Sequence, residues 1–171
     1  MGFAQACPVA GCHAAVRRGA RILVLAAAAS VLGLVAAPSP AKAATVVTNA
    51  GACLDDEYLS TANGTAAVVY QFNGGFAQQW TFSGFQLQPV IGTNNSTTAR
   101  CLDLLNGGTA NGTKAVINAC NGSASQEWVF EQTVVINIPS GKCLDVGKGA
   151  NLTQATLQPC SGSAGQLWNI R

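Results

Sequence analysis

The sequence predicts an all-β domain built from three similar lobes, and three observations carry that expectation. A frame that opens with Cys-Leu-Asp and closes with Gln-x-Trp occurs three times, over 53–80, 101–128 and 143–168, and each of the three tryptophans closes one copy. The copies recur at 40 to 50 residues, a period that marks a repeat architecture. No long stretch carries a 3.6-residue apolar period, because Gly, Asn, Ser and Thr break every apolar run. A single copy of about 42 residues cannot bury its own apolar face, whereas three can close a common pseudo-threefold core.

The chain begins with a segment that reads as a secretory leader over 1–43. Arg17, Arg18 and Arg21 precede an apolar run over 22–37, and Ala41-Lys42-Ala43 presents small residues where a signal peptidase cuts. The apolar run is short for a membrane anchor, which needs about 20 residues. The lead-in over 1–16 is long and nearly uncharged, which suggests translation starting near Val16. The expectation is a secreted, extracellular protein whose working part is one domain over 44–171, with repeats of about 45–86, 87–131 and 132–171.

Removing the leader changes the charge. Arg17, Arg18, Arg21 and Lys42 leave, so the nine basic residues become five against seven acidic ones, and a net +2 becomes −2. This argues against nucleic acid, and against a membrane, as a partner of the mature chain. The single histidine, His13, also leaves, which excludes a histidine base or metal ligand.

Within each repeat the strands are short. The segments 67–70, 115–117 and 134–138 are strand-like, while 86–91 contains Pro89 and fits an edge or bulged strand. Asn-Gly pairs at 63, 73, 111 and 121 fit tight turns. Asn63, Asn94, Asn95, Asn111, Asn121 and Asn151 also lie in glycosylation sequons, which are read as turn chemistry multiplied by duplication. The acidic run Asp55-Asp56-Glu57 reads as a solvated turn rather than a metal loop.

Five cysteines remain in the working part. Cys101 pairs most simply with Cys120, and Cys143 with Cys160, each within its own repeat. Cys53 lacks such a mate because Phe72 stands at the matching place; a buried thiol, with Phe72 filling the space of the absent disulfide, is the expectation, and an intermolecular bridge is the alternative.

Three copies of Cys-Leu-Asp followed by Gln-x-Trp, two with an internal cysteine pair, resemble the ricin B-chain type of β-trefoil lectin. The resemblance covers nearly all of the working chain. It implies a β-trefoil of twelve strands, about four per repeat, with one candidate sugar pocket in each. It further implies that Asp55, Asp103 and Asp145 accept hydrogen bonds from sugar hydroxyls, a role that suits an acceptor-only carboxylate. The position whose aromatic ring stacks on the sugar holds Tyr70, Asn118 and Gln158. Gln78, Gln126 and Gln166 would steady the aspartates. The family's further polar contacts are replaced: Val68, Val116 and Thr156 stand at one position, and Ala77, Ser125 and Gly165 at the other.

By this pattern the first repeat, with Asp55, Tyr70 and Gln78, is the best site, and the alternation that buries Val69 turns Tyr70 outward. The other two repeats are weaker and would contribute through linkage on a polymer. The tryptophans are expected in the core. The three aspartates fall on separate lobes and cannot form the carboxylate pair of a glycosidase, so the chain is read as a non-enzymatic carbohydrate-binding protein without cofactor or metal. Galactose- or xylose-type polysaccharide is the implied partner, and oligomeric state stays open. The alternative is a trefoil scaffold with degenerate sugar sites that binds a protein as an inhibitor or adhesion factor.

Overall fold

The computed structural model describes residues 44–48, 50–90 and 99–170; the leader, Asn94 and Asn95 lie outside them. The first repeat comprises β1 (Ala44–Thr48), β2 (Ala52–Asp56), β3 (Thr65–Gln71) and β4 (Gln79–Ser83). The second comprises β5 (Gln86–Pro89), β6 (Arg100–Leu104), β7 (Ala115–Ala119) and β8 (Trp128–Glu131). The third comprises β9 (Val134–Asn137), β10 (Lys142–Asp145), β11 (Thr153–Gln154), β12 (Thr156–Gln158) and β13 (Trp168–Ile170). Because β11 and β12 are one strand interrupted at Ala155, the count of four strands per repeat holds. The expected edge strand is β5, which among the described residues pairs with β4 alone and ends at Pro89. All pairings are antiparallel, and β13 pairs with β1, so the two ends of the domain close on each other.

Alternation along the hairpins builds the core. Leu54, Leu102 and Leu144 lie opposite Val69, Ile117 and Leu157, and all six are fully buried. Trp80, Trp128 and Trp168 are also fully buried, as the repeat pattern requires. Each indole N–H donates to the carbonyl of its own repeat's leucine, at 2.8, 3.0 and 3.1 Å. The polar edge of each ring is thus satisfied where water cannot reach it. Ala67, Ala115 and Ala155 occupy one position of the repeat and are fully buried. Their backbones approach closely: Ala155 N donates to Ala67 O, and Ala115 N to Ala155 O. A larger side chain there would hold the lobes apart.

The sequon asparagines stitch one repeat to the next. Asn63 Oδ1 accepts from Ala119 N at 2.9 Å and from Arg100 Nη1 at 2.6 Å, and Asn151 Oδ1 accepts from Gln71 N at 2.8 Å. At the third junction the matching strand residue is Pro159, which has no amide hydrogen to offer Asn111. Asn121 caps its own turn through Ser123 N. These bonds support the turn reading of Asn63, Asn121 and Asn151.

The disulfides are Cys101–Cys120 and Cys143–Cys160, one within each of the last two repeats. Cys53 is a fully buried thiol, as expected. The expectation for Phe72 is corrected: its ring is 64% exposed and points to solvent, because residues past β3 leave the sheet at that point. The acidic run is a second correction. Asp56 is fully buried and Asp55 nearly so, because both lie in β2 rather than in the turn that follows it.

Candidate functional site

The three hairpins β2–β3, β6–β7 and β10–β12 present the same backbone to three different surroundings. Register sets Tyr70 opposite Cys53, Asn118 opposite Cys101 and Gln158 opposite Cys143. Because side chains alternate in a strand, each of these residues shares a face with the aspartate two places beyond its cysteine. The Gln-x-Trp glutamine lies in a 3-10 turn that crosses under that face. Its Oε1 accepts an amide from the turn after the hairpin, from Asn73, Asn121 or Ser161 at 2.7–2.9 Å. Its Nε2 donates to the carbonyl of Gln71, Ala119 or Pro159 at 2.9 Å.

In the first repeat this frame borders an open cleft of about 520 Å3, lined by Asp55 and Tyr70 among others. Gln78 lies buried behind it and hydrogen-bonds Asp55. Burial holds the Asp55 carboxyl above its ordinary pKa, and the Gln78 bond offsets part of that rise. Tyr70 is half-buried and lines the cleft. The outward turn expected of it is observed.

Four further residues shape this cleft that the sequence pattern did not single out: Tyr58, Leu59, Phe76 and Leu152, which are 80%, 51%, 63% and 50% exposed. Tyr58 and Leu59 have left-handed backbones, with φ of 63° and 54°. The second repeat fills those places with Asn106 and Gly107, residues that tolerate this region. A bulky residue held there costs on the order of 1–2 kcal/mol, and such strain concentrates where function requires it. Leu152 belongs to the third repeat and reaches the first because its amide donates to Val69 O at 2.7 Å. One signal was legible: both tyrosines and four of the six phenylalanines fall within 58–85.

In the second repeat, Asp103 is spent on the protein itself. Its Oδ1 accepts from Leu104 N at 2.7 Å, and its Oδ2 from Asn118 Nδ2 and Gln126 Nε2, both at 2.9 Å. Asn118 in turn accepts from Gly64 N at 2.8 Å. The side chain at the stacking position therefore ties the aspartate down, and Asp103 is only 4% exposed.

In the third repeat, Asp145 accepts from Gly147 N, from Ser163 Oγ at 3.4 Å and from Gln166 Nε2 at 2.8 Å. Gly165, at the place of the family's polar contact, lies against the Gly147 backbone so closely that a Cβ would collide with its carbonyl oxygen. The loop after β10 thus occupies the space that a sugar-contacting side chain would need, and a small cavity of about 60 Å3 borders Gly147 and Gly165. Gln158 is half-buried on β12.

Residues 43–168 match the model of the ricin-type beta-trefoil lectin domain. The chain belongs to that family. Its fold is the β-trefoil, and the family's domain is a carbohydrate-binding module. Among solved structures it is similar to the designed threefold-symmetric protein ThreeFoil, at 24% identity and a TM-score of 0.62, over 74% of this chain and 96% of that one. It is similar to an agglutinin from Abrus precatorius, at 25% identity and a TM-score of 0.61, over 75% of this chain and 46% of that one. It is also similar to a non-toxic homologue of type II RIPs from Momordica charantia (bitter gourd), solved in complex with alpha-methyl-D-galactoside. That match has 24% identity and a TM-score of 0.64, over 77% of this chain and 48% of the other. The lectin domain spans about half the length of these two plant chains. Comparison with curated proteins finds no match.

Proposed function

We propose that this lectin domain acts as a secreted, non-catalytic sugar-binding protein that uses one working site, in the first repeat, on extracellular galactose- or xylose-type glycans. The observation that carries the reading is the cleft that joins an acceptor, Asp55, to a stacking ring, Tyr70, whereas Asp103 and Asp145 are hydrogen-bonded within their own repeats and have no aromatic ring at the matching place. A carboxylate can accept two neighbouring hydroxyls at once, and a tyrosine face suits the apolar face of a pyranose. Galactose is supported by the ligand of the bitter gourd protein.

The test is affinity electrophoresis through immobilised galactan and xylan. The unsubstituted protein is retarded in at least one gel, and Asp55→Ala and Tyr70→Ala each abolish the retardation. Retardation unchanged in both variants would place the site elsewhere.

A second reading keeps the fold but assigns a protein ligand. The exposed apolar rim of Tyr58, Leu59, Phe76 and Leu152 favours it. A glycan array separates the two: this reading predicts no sugar bound at millimolar monovalent affinity and a protein captured through the same rim.

A further inference from the structure

Tyr58 is a shared wall rather than the end of the first-repeat cleft. On its other side lies a basin of about 390 Å3, and Glu57 and Tyr58 line both spaces. The basin collects residues from all three repeats. Ala66, Lys114 and Gln154 stand at the same repeat position, next to the buried Ala67, Ala115 and Ala155. Of the three only Ala66 is small, which leaves the basin open on the side of the first repeat.

The two spaces differ in chemistry. The cleft is edged by rings and leucines around Asp55. The basin is lined by the Ser60 and Thr65 hydroxyls, which bond each other, by Gln154, whose Nε2 donates to Ala115 O, and by one group of each charge, Glu57 and Lys114. A lining with donors and acceptors of balanced charge suits a neutral polyhydroxyl ligand better than an anion. Tyr58, 80% exposed and held in a left-handed backbone conformation, lines both spaces.

We propose that cleft and basin form one groove for a linear, neutral oligosaccharide. One sugar sits against Asp55 and Tyr70, the chain crosses the Tyr58 ring, and the next sugar hydrogen-bonds within the basin through Lys114 and Glu57. The inference rests on the carbohydrate reading of the cleft and extends it from a single sugar to a chain.

Calorimetric titration of the full chain with galactose and galacto-oligosaccharides of two to four units, and with the parallel xylose series, tests it. The expected result in the binding series is an affinity at least about tenfold higher for the trisaccharide than for the monosaccharide, equivalent to one or two added hydrogen bonds. Lys114→Met keeps the exposed stem and removes the donor; it is expected to erase most of that gain and leave monosaccharide affinity unchanged. Monosaccharide binding with no gain along the series would overturn the groove and leave the cleft standing, as would a full gain retained in Lys114→Met. No binding by any member of either series would overturn both.

Discussion

Asp55 and Asp56 are adjacent on one strand, yet opposite faces give them opposite roles. Asp55 borders the cleft, and its variant Asp55→Ala removes an acceptor that two hydroxyls can share, as Tyr70→Ala removes the ring. Each is expected to weaken sugar affinity at least about tenfold, or about 1.4 kcal/mol, by calorimetry. Asp56 faces the core, where the second and third repeats carry Leu104 and Val146. Neither of its carboxylate oxygens closes a hydrogen bond. Burial, and then the nearby Asp55 charge, push its pKa from 3.8 to about 7; the amides of Leu59 and Ser60, too poorly placed to close a hydrogen bond, oppose part of the rise.

The sign of the linkage follows directly. A carboxyl with a raised folded pKa binds more protons folded than unfolded, so its contribution is intact below about pH 3.8 and is lost as pH rises through about 7. Asp56→Leu is therefore expected to raise unfolding stability by about 1–3 kcal/mol at neutral pH, with a smaller gain in acid, read from urea unfolding. An equal gain at both pH values would show that Asp56 does not titrate in this window.

The three hairpins share register and glutamine scaffold and differ in what surrounds the aspartate. Asn118 bonds Asp103 and the Gly147 amide bonds Asp145, so both aspartates act as acceptors within the fold, Asp103 buried and Asp145 half-buried. Asp103→Ala is expected to destabilise the domain by about 1–3 kcal/mol while leaving sugar affinity unchanged, since it strands the donors of Leu104, Asn118 and Gln126. Loss of the Cys101–Cys120 bridge, which closes a loop of 19 residues, is expected to cost about 3 kcal/mol by the same assay.

Much at this scale was legible in the sequence. Tryptophan, leucine and cysteine positions recur three times, so one alternation argument covers three strands. The cleft's rim was not legible, for physical reasons. Tyr58 and Leu59 reach it through left-handed backbones that no side-chain pattern announces, and Leu152 comes from a repeat remote in sequence. Phe72 failed as a space filler because the strand ends one residue before it. The burial of Asp56 was obscured by its acidic neighbours, although alignment with Leu104 and Val146 pointed to the core.

At the scale of the molecule, the threefold pattern is kept where it builds the core and lost where it meets solvent. Trp80, Trp128 and Trp168 donate to equivalent carbonyls, whereas the open, ring-bordered cleft belongs to the first repeat. A trefoil with three equal sites would cross-link glycans; one with a single site would bind without cross-linking. The central claim is thus the number and place of sites. Titrating isotope-labelled protein with galactose, and separately with xylose, and following backbone amides by NMR tests it most directly. Saturable shifts for the bound sugar are expected at residues 55–59, 70–78 and 152. Equal saturable shifts around Asp103 and Asn118, or around Asp145 and Gln158, would contradict it.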